Sequence, residues 1–297
     1  MARRRESHDG TAMARVLIAG CGDVGTTLGL ELAAAGHEVF GLRRRAAALP
    51  APLRPVAADL ADPATLRDLP DAVEWLVYAV AADGFDDEAY RRAYVDGLVH
   101  LLRALRARQA PLRRLAYCSS TAVYAQADGS WVDEASPAEP RGFSGQRLLE
   151  GERLALGSGA PAIVLRLAGI YGPGRSRLID QVRSGTATCP DGPPTWTNRI
   201  HRDDCAGALA HLLALRDPDP LWIGVDDEPA PLCAVLDWLA ARLGAPPPRR
   251  VPGGTADARR ERTSKRCRNA KLAASGYRCR IPTFREGYAA MLAPGAA

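Results

Sequence analysis

The stretch A-R-V-L-I-A-G-C-G-D-V-G, residues 14–25, decides the fold of this chain. Val16–Ala19 is a short apolar run rich in β-branched residues, which predicts a buried strand. Gly20, Gly22 and Gly25 follow at G-x-G-x-x-G spacing, and the leucines and alanines after them predict a helix that a further glycine ends. A lone G-x-G-x-x-G is a weak signal, but this strand–turn–helix setting is typical of a dinucleotide-binding unit.

Each glycine of this turn has its own physical task. The first permits a tight turn, the second lets a pyrophosphate approach the backbone, and the third lets the helix pack against the strand. The start of the helix adds free N–H groups and the positive end of the helix dipole, which attract phosphate. We therefore predict that Gly20, Gly22, Asp23, Val24 and Gly25 bind the diphosphate of a cofactor.

The second predicted strand, H-E-V-F-G-L at 37–42, runs into three arginines. An acidic residue at this strand end would bind the ribose 2′-hydroxyl of NAD, whereas arginine suits the 2′-phosphate of NADP. Arg43 and Arg44 therefore favour NADP, with NAD as the alternative. Asp59, at the end of the third predicted strand, is expected beside the adenine ring. Alternatively it belongs to a turn that leads to a helix cap at Asp62.

The composition is that of a folded protein with a sizeable core, because 47% of the 297 residues are apolar. No apolar run approaches the ~20 residues that span a bilayer, so we expect no membrane association. The arginines near the N-terminus precede no long apolar run. We expect residues 1–12 to form a disordered basic tail and the location to be cytoplasmic. The seven cysteines form no C-x-x-C pair and indicate neither a disulfide framework nor a metal site.

Basic residues are concentrated between Arg249 and Arg280, within a chain of net charge +5. Such a segment could bind nucleic acid, but no aromatic residue for base stacking occurs in it before Tyr277. We therefore favour a solvated face, or arginines beside an anionic small ligand. The lysines of the chain are Lys265 and Lys271, so the preceding residues offer none for a Schiff base or for a lysine-assisted tyrosine.

Several stretches further along the chain carry a resemblance. They are Y-R-R-A-Y-V-D-G-L-V-H-L-L (90–102), S-S-T-A-V-Y (119–124), V-L-R-L-A-G-I-Y-G-P-G-R (164–175) and N-R-I-H-R-D-D (198–204). With the glycine turn, they make the chain resemble the extended short-chain dehydrogenases/reductases, the group that contains UDP-sugar epimerases and dehydratases. The likeness covers nearly the whole chain from Met13. Two stretches near the C-terminus, S-K-R-C-R-N-A-K-L and P-T-F-R-E-G-Y, are similar to atypical members of that group.

The resemblance implies an α/β fold with a Rossmann-type doubly wound parallel sheet and a smaller, interleaved C-terminal substrate lobe. We expect residues 13–170 to form the NAD(P)-binding domain. Residues 171–297 would then form the substrate lobe, with 201–226 returning to the Rossmann core. The resemblance also implies a small-molecule substrate and a homodimer that pairs through helices of the cofactor lobe.

The same resemblance assigns catalysis to a serine three residues before the valine of V-Y, which is Ser120. It also assigns a tyrosine and a lysine four residues apart, about two dozen residues later. Here the spacing falls on F-S-G-Q-R, with Phe143 and Arg147. Phenylalanine carries no ionisable proton, so Phe143 cannot act as a general acid or base. Arg147 remains a fixed cation, and we predict that it holds ribose or phosphate oxygens.

Other side chains are candidates for the missing proton carrier. Tyr124 lies near the same strand end as Ser120, Tyr171 follows a predicted strand, and His201 stands in the segment I-H-R-D-D. Each has a structural alternative, which is packing for the tyrosines and capping of a helix start for His201. We predict Ser120 and Tyr124 as catalytic residues, Arg175 and His201 as substrate residues, and no metal.

The sequence leaves two classes of function open. The first is an NAD(P)-binding oxidoreductase or epimerase-like enzyme that acts on a small polar or nucleotide-sugar-like substrate without the usual Tyr–Lys pair. The second is a non-catalytic NADP(H)-binding sensor or regulatory protein. The replacement of both tyrosine and lysine favours the second class. The retained Ser120 and the motifs of the substrate lobe favour the first.

Overall fold

A computed structural model describes residues 13–108, 111–252 and 263–293. The predicted tail at 1–12 and part of the basic segment lie outside these residues. The strands in chain order are β1 (Arg15–Ala19), β2 (Glu38–Arg43), β3 (Arg54–Ala57), β4 (Trp75–Tyr78), β5 (Arg114–Ser120), β6 (Trp131–Val132), β7 (Ala162–Leu167), β8 (Gly169–Tyr171), β9 (Thr188–Pro190), β10 (Trp196–Thr197), β11 (Arg199–His201), β12 (Leu221–Gly224), β13 (Ala230–Pro231), β14 (Arg249–Val251) and β15 (Arg266–Cys267).

The helices connect these strands. In chain order they are α1 (Asp23–Ala34), α2 (Asp87–Arg91), α3 (Gly97–Arg106), α4 (Phe143–Leu156), α5 (Arg177–Arg183), α6 (Arg202–Ala214), α7 (Leu232–Leu243), α8 (Ala270–Ala274) and α9 (Phe284–Leu292). Short 3₁₀ turns cover Ala46–Ala48, Pro63–Asp68 and Thr121–Val123. A π-helical turn, Arg92–Asp96, lies between α2 and α3, so the chain winds continuously from Asp87 to Arg106.

The centre of the molecule is a parallel sheet of seven strands in the order β12-β7-β5-β4-β1-β2-β3. The chain builds outward from β1 to one edge and then, from β4, to the other, so the direction of winding reverses between β1 and β4. In such sheets ligands bind beyond the carboxyl ends of the strands at this reversal. The structure confirms the predicted doubly wound fold and directs attention to that edge of the sheet.

Helices cover both faces of the sheet because its strands are apolar on both sides. Along β1, Val16 and Ile18 face one core cluster, which contains Leu28 of α1 and Leu209 of α6. The intervening Leu17 faces the other cluster with residues of α3 and α4. These β1 side chains have no exposed surface, and burial of each large aliphatic side chain contributes about 1.5–3 kcal/mol. This two-sided burial is typical of a parallel sheet.

The later part of the chain forms small paired strands and a separate core. The two-stranded pairs are β6–β15, β8–β11, β9–β14 and β10–β13. A further apolar cluster joins residues of α5, α7 and α9. Cys189 and Cys233 are paired as a disulfide with Cα atoms 5.5 Å apart, and the other five cysteines are free, so one pair and no disulfide framework is present. In the described ranges, no helix is both long enough and apolar enough to cross a membrane.

Candidate cofactor and reaction site

A cavity of about 600 Å³ lies at the carboxyl edge of the central sheet, where the winding reverses. Its walls are the glycine turn after β1, the segments after β2, β3 and β4, the ends of β5 and β7, and the π-helical turn. One wall also includes Arg175, from the loop that precedes α5. The cavity therefore joins the predicted phosphate site to the strand end that carries Ser120.

The glycine turn has the shape that a diphosphate requires. Gly20 has φ +77°, and a Cβ there would lie 2.6 Å from the carbonyl oxygen of Ala79, so the turn needs glycine. A Cβ on Gly25 would lie 2.9 Å from the oxygen of Gly20, which shows how closely α1 packs against the turn. At Gly22 a Cβ would meet nothing nearer than 3.9 Å, so space remains where phosphate would approach the backbone.

Asp23, the first residue of α1, is held by two arginines from the later part of the chain. Its carboxylate accepts hydrogen bonds from Arg175 Nε at 2.6 Å and from Arg202 Nη1 at 3.2 Å. Without these cations the carboxylate of Asp23 would repel a phosphate at the helix start. The positive charges of Arg175 and Arg202 offset the negative charge of Asp23. Arg175, predicted as a substrate residue, thus lies at the diphosphate end of the cavity.

The arginines predicted to select the cofactor line the cavity beside the end of β2. Arg43 donates to the carbonyl oxygen of Cys21 at 3.4 Å. Arg44 donates from two nitrogens to Asp83, each at 2.8 Å, and both side chains are more than half exposed. Such an exposed ion pair is weak, so a phosphate can replace Asp83 as the partner of Arg44.

Asp59 also lines the cavity, as predicted for an adenine neighbour. At the same time its carboxylate accepts from the backbone N–H of Ala61 at 2.9 Å, and Asp62 caps the following 3₁₀ turn. The predicted turn with its cap at Asp62 is therefore present, and the same turn presents Asp59 at the cavity wall.

The other end of the cavity is neutral and carries hydroxyl and thiol groups. Ser120 ends β5 and lines the cavity, and its oxygen accepts the backbone N–H of Ala122 at 3.2 Å. Its hydroxyl proton therefore points away from that bond and can be donated to a substrate oxygen. Cys118, Ser119 and Tyr94 line the same end. Burial raises the pKa of Cys118 to about 12, so it stays a thiol.

A buried chain of polar groups supports this end from behind. Ser119 donates to Glu152 at 2.5 Å, and Glu152 forms an ion pair with Arg166 at 2.7 Å. Arg166 then donates to the hydroxyl of Tyr124 at 2.8 Å, and that hydroxyl donates to the carbonyl oxygen of Asp133 at 2.9 Å. Buried ion pairs of this kind are costly to break because the remaining charge has no partner.

Tyr124, which the sequence predicts as a catalytic residue, lies behind the cavity wall in the structure. The side chain has no exposed surface, and its hydroxyl is occupied on both sides by Arg166 and Asp133. Burial raises the pKa of Tyr124 to about 12, against the opposing effect of Arg166. It is not among the residues that line the cavity, so it supports the site rather than meeting a substrate.

Residues at the usual tyrosine and lysine positions are used elsewhere. Phe143 packs against Phe85 and Tyr90, with ring centroids 5.2 and 5.4 Å away. Arg147 donates to both oxygens of Asp87 at 2.7 and 2.9 Å, and to Glu150 at 2.8 Å. It does not line the cavity. Arg147, predicted to hold the cofactor, thus has its guanidinium between α4 and α2 in this structure.

His201, predicted as a substrate residue, is buried at the start of α6 in the structure. It is 3% exposed, and its Nδ1 accepts the backbone N–H of Asp203 at 3.2 Å, which caps α6. Its ring meets Tyr171 edge to face at 5.3 Å. Burial lowers the pKa of His201, so the ring is neutral at pH 7. Neither ring lines the cavity, and the capping alternative is the correct one.

Sequence reasoning missed Tyr94, Ser119 and Arg202. The π-helical turn that brings Tyr94 to the cavity has no signature in the residues themselves. The sequence does not indicate Arg202, because its contact with Asp23 depends on α6 lying beside the glycine turn. Within the described part of the chain, no group of three or more histidine, cysteine and acidic side chains is arranged to hold a metal ion.

Comparison with known proteins agrees with this geometry. The model of the NAD dependent epimerase/dehydratase family matches residues 16–220. A 3-diazoavenalumate denitrifying reductase from a Streptomyces species is 34% identical over 263 residues, which is 82% of this chain and 86% of that protein. A solved structure from Methylobacillus flagellatus is 39% identical, with TM-score 0.76 and coverage of 94% of this chain and 98% of that one. MoeE5, solved with UDP-glucuronic acid and NAD, is 25% identical with TM-score 0.75, covering 93% and 96%.

Proposed function

The chain belongs to the NAD-dependent epimerase/dehydratase family, and we propose that it is an NAD(P)H-dependent reductase that acts on a small polar or nucleotide-sugar-like substrate. The single observation that carries the proposal is the cavity that joins Gly22 to Ser120. One end has room for a diphosphate at a helix start, and the other end offers a hydroxyl donor. A cofactor that spans the cavity would place its reacting ring beside Ser120.

The residues present fit a dinucleotide. Gly20, Gly22 and Gly25 with the start of α1 would hold the diphosphate, assisted by Arg175. When bound, the reduced cofactor supplies a hydride to an electrophilic atom of the substrate. The Ser120 hydroxyl would donate a hydrogen bond to the substrate oxygen that gains charge, which lowers the energy of the transition state. Apolar groups at this end, such as Leu148 and Leu167, would exclude water.

Reduction is favoured over epimerisation or dehydration by two observations. The Streptomyces relative is named as a reductase. Among the described residues that line the cavity, none pairs a tyrosine with a lysine to give the low-pKa base that removal of a hydroxyl proton requires. For the substrate class, support comes from MoeE5, whose structures contain UDP-glucuronic acid or UDP-glucose together with NAD.

We propose NADP(H) as the preferred cofactor. Arg43, Arg44 and Arg45 line the cavity at the end of β2, and none of these three positions carries the carboxylate that would accept a ribose 2′-hydroxyl. A 2′-phosphate would receive bidentate hydrogen bonds from Arg44 once the exposed pair with Asp83 opens. NAD remains the alternative, because the neighbours of known structure contain it.

Absorbance at 340 nm tests the proposal. The purified protein is mixed with NADPH or NADH and a panel of sugar-nucleotide ketones and small aromatic carbonyl compounds. We expect consumption of NADPH that falls roughly 10²–10³-fold in Ser120→Ala, since one donor to a developing oxyanion is lost. Ser184→Ala, an exposed serine at the end of α5, is the matched control. Tight binding of NADPH without turnover on any compound would instead favour the sensor.

A further inference from the structure

Tyr94 lies at the reaction end of the cavity in a place that the proposed reaction can use. Its side chain is partly buried and lines the cavity together with Cys118 and Ser120. It is the one phenol among the described residues of that lining. The aspartates of the lining follow β1, β3 and β4 at the nucleotide end, and arginines do not release protons.

The π-helical turn explains why this ring faces the cavity. Tyr94 is the central residue of the turn Arg92–Asp96, and a π turn rotates a side chain away from the direction that an α-helix would give it. The turn is tied to the sheet, because the Tyr117 hydroxyl donates to the carbonyl oxygen of Tyr94 at 3.1 Å. A Cβ on Gly151 would lie only 2.4 Å from that oxygen, so α4 packs tightly behind it.

The phenol of Tyr94 is also placed by its own contacts. The cavity wall at Tyr94 also contains residues 79–81, which follow β4, and Cys118 and Ser120 of β5. The backbone of Ala82 and the thiol of Cys118 both influence the pKa of Tyr94, as groups close to its hydroxyl do. The side chain thus lies near the carboxyl ends of β4 and β5, and β5 is the strand that Ser120 ends.

Tyr94 belongs to one aromatic cluster with Phe143, the residue that stands where the resemblance implies a tyrosine. Tyr90 lies between them, with its ring 5.4 Å from that of Phe143 and 5.2 Å from that of Tyr94. The ring of Phe143 therefore retains the packing of an aromatic at position 143 without its proton. On the other side of Tyr90 the cluster ends at Tyr94, whose phenol lines the cavity.

We propose that Tyr94 is the proton donor of the reduction, in place of the tyrosine that position 143 lacks; this rests on the proposed function. The bond that is reduced is a C=O of the substrate. Hydride from NAD(P)H forms the new bond to its electrophilic carbon, and the π electrons move to the oxygen. That oxygen accepts a hydrogen bond from the Ser120 hydroxyl and takes the proton from Tyr94 Oη. The phenolate of Tyr94 then regains a proton from water.

The surroundings of the phenol keep it in the protonated form that the proposed step needs. Burial raises the pKa of Tyr94, and so do the neighbouring hydroxyl of Tyr90 and the thiol of Cys118, while the backbone of Ala82 opposes them. Arg92 also lines the cavity, whereas Arg147 does not and is held by Asp87 and Glu150. Tyr94 is therefore protonated at neutral pH, which is the form from which reduction of a substrate begins.

The test uses ¹⁹F NMR of the whole protein labelled with 3-fluorotyrosine. The Tyr94 resonance is assigned by its absence in Tyr94→Phe, and the Tyr90 resonance by its absence in Tyr90→Phe. The oxidised nicotinamide ring is positively charged and the reduced ring is neutral. If Tyr94 faces the ring, its pKa should be roughly one unit lower with saturating NADP⁺ than with NADPH. Tyr90, which is not part of the cavity lining, should titrate equally in both complexes.

Kinetics of the same variants add a second readout. With a compound that the wild type reduces, Tyr94→Phe should lower kcat about 10²–10⁴-fold and leave the Kd for NADPH unchanged, because general acid catalysis contributes that much. Tyr90→Phe should stay within about threefold of wild type. Equal pKa values for Tyr94 in the two complexes would overturn the inference and leave the proposed function standing. If neither NADP⁺ nor NADPH binds, both this inference and the proposed function are overturned.

Discussion

The two ends of the cavity differ in charge and in how they are built. The nucleotide end is ionic and open to water, with Arg44 and Asp83 more than half exposed and Asp23 held by two arginines. The reaction end carries hydroxyl and thiol groups, and the pKa of Tyr94 and of Cys118 is raised there by burial. The first end is suited to holding a charged ligand and the second to holding protons. Binding and chemistry should therefore be separable by mutation.

The largest expected effect lies behind the reaction end. Glu152→Gln removes the partner of buried Arg166, so we expect a loss of about 3–5 kcal/mol in the free energy of unfolding. Chemical denaturation measures it. Glu150→Gln is the control, because Glu150 pairs with Arg147 at a partly exposed site and should cost below about 1 kcal/mol. If the two variants unfold alike, the reaction end does not depend on its buried ion pair.

A pair of glycine variants sharpens the comparison at the nucleotide end. In Gly22→Ala the new Cβ meets open space in the protein but would meet the diphosphate, so we expect the Kd for NADPH to rise about tenfold to a hundredfold with little loss of thermal stability. In Gly20→Ala the Cβ meets the carbonyl of Ala79, so stability should fall as well. Calorimetric titration and thermal unfolding of both variants separate the effects. Unchanged affinity in Gly22→Ala would contradict the diphosphate site.

The smallest expected effect concerns cofactor choice. Arg44→Ala should weaken NADPH roughly tenfold and leave NADH within about twofold, since only NADPH carries the 2′-phosphate. Arg103→Ala, an exposed arginine on α3 away from the cavity, is the matched control. The loss should shrink as salt is raised, because the contact lies near solvent. Equal losses for both cofactors would refute the selection of NADPH by Arg44.

The same contrast explains what the sequence could predict. The nucleotide end follows from consecutive residues, because a strand, three spaced glycines and a helix specify their own geometry. The placement of Gly20, Gly22 and Gly25 at the cavity agrees with that expectation. Ser120 was predicted from the resemblance, by its position three residues before the valine of V-Y, and in the structure it ends β5.

The reaction end could not be predicted in the same way, because tertiary contacts decide it. Arg147 leaves the cavity for Asp87, which lies 60 residues earlier in the chain. Tyr124 turns inward to Arg166, and His201 caps a helix instead of facing a substrate. Tyr94 reaches the cavity through a π-helical turn that no residue pattern announced.

A fluorescence titration with NADPH tests most directly whether one cavity holds the cofactor with its nicotinamide at the protected, reaction end. The emission of the reduced ring reports both binding and its surroundings. We predict a saturable change with a shift to shorter wavelength, at NADPH concentrations in the micromolar range and far weaker in Gly22→Ala. Emission that stays that of free NADPH up to ~1 mM, with protein shown to be folded, would contradict the account.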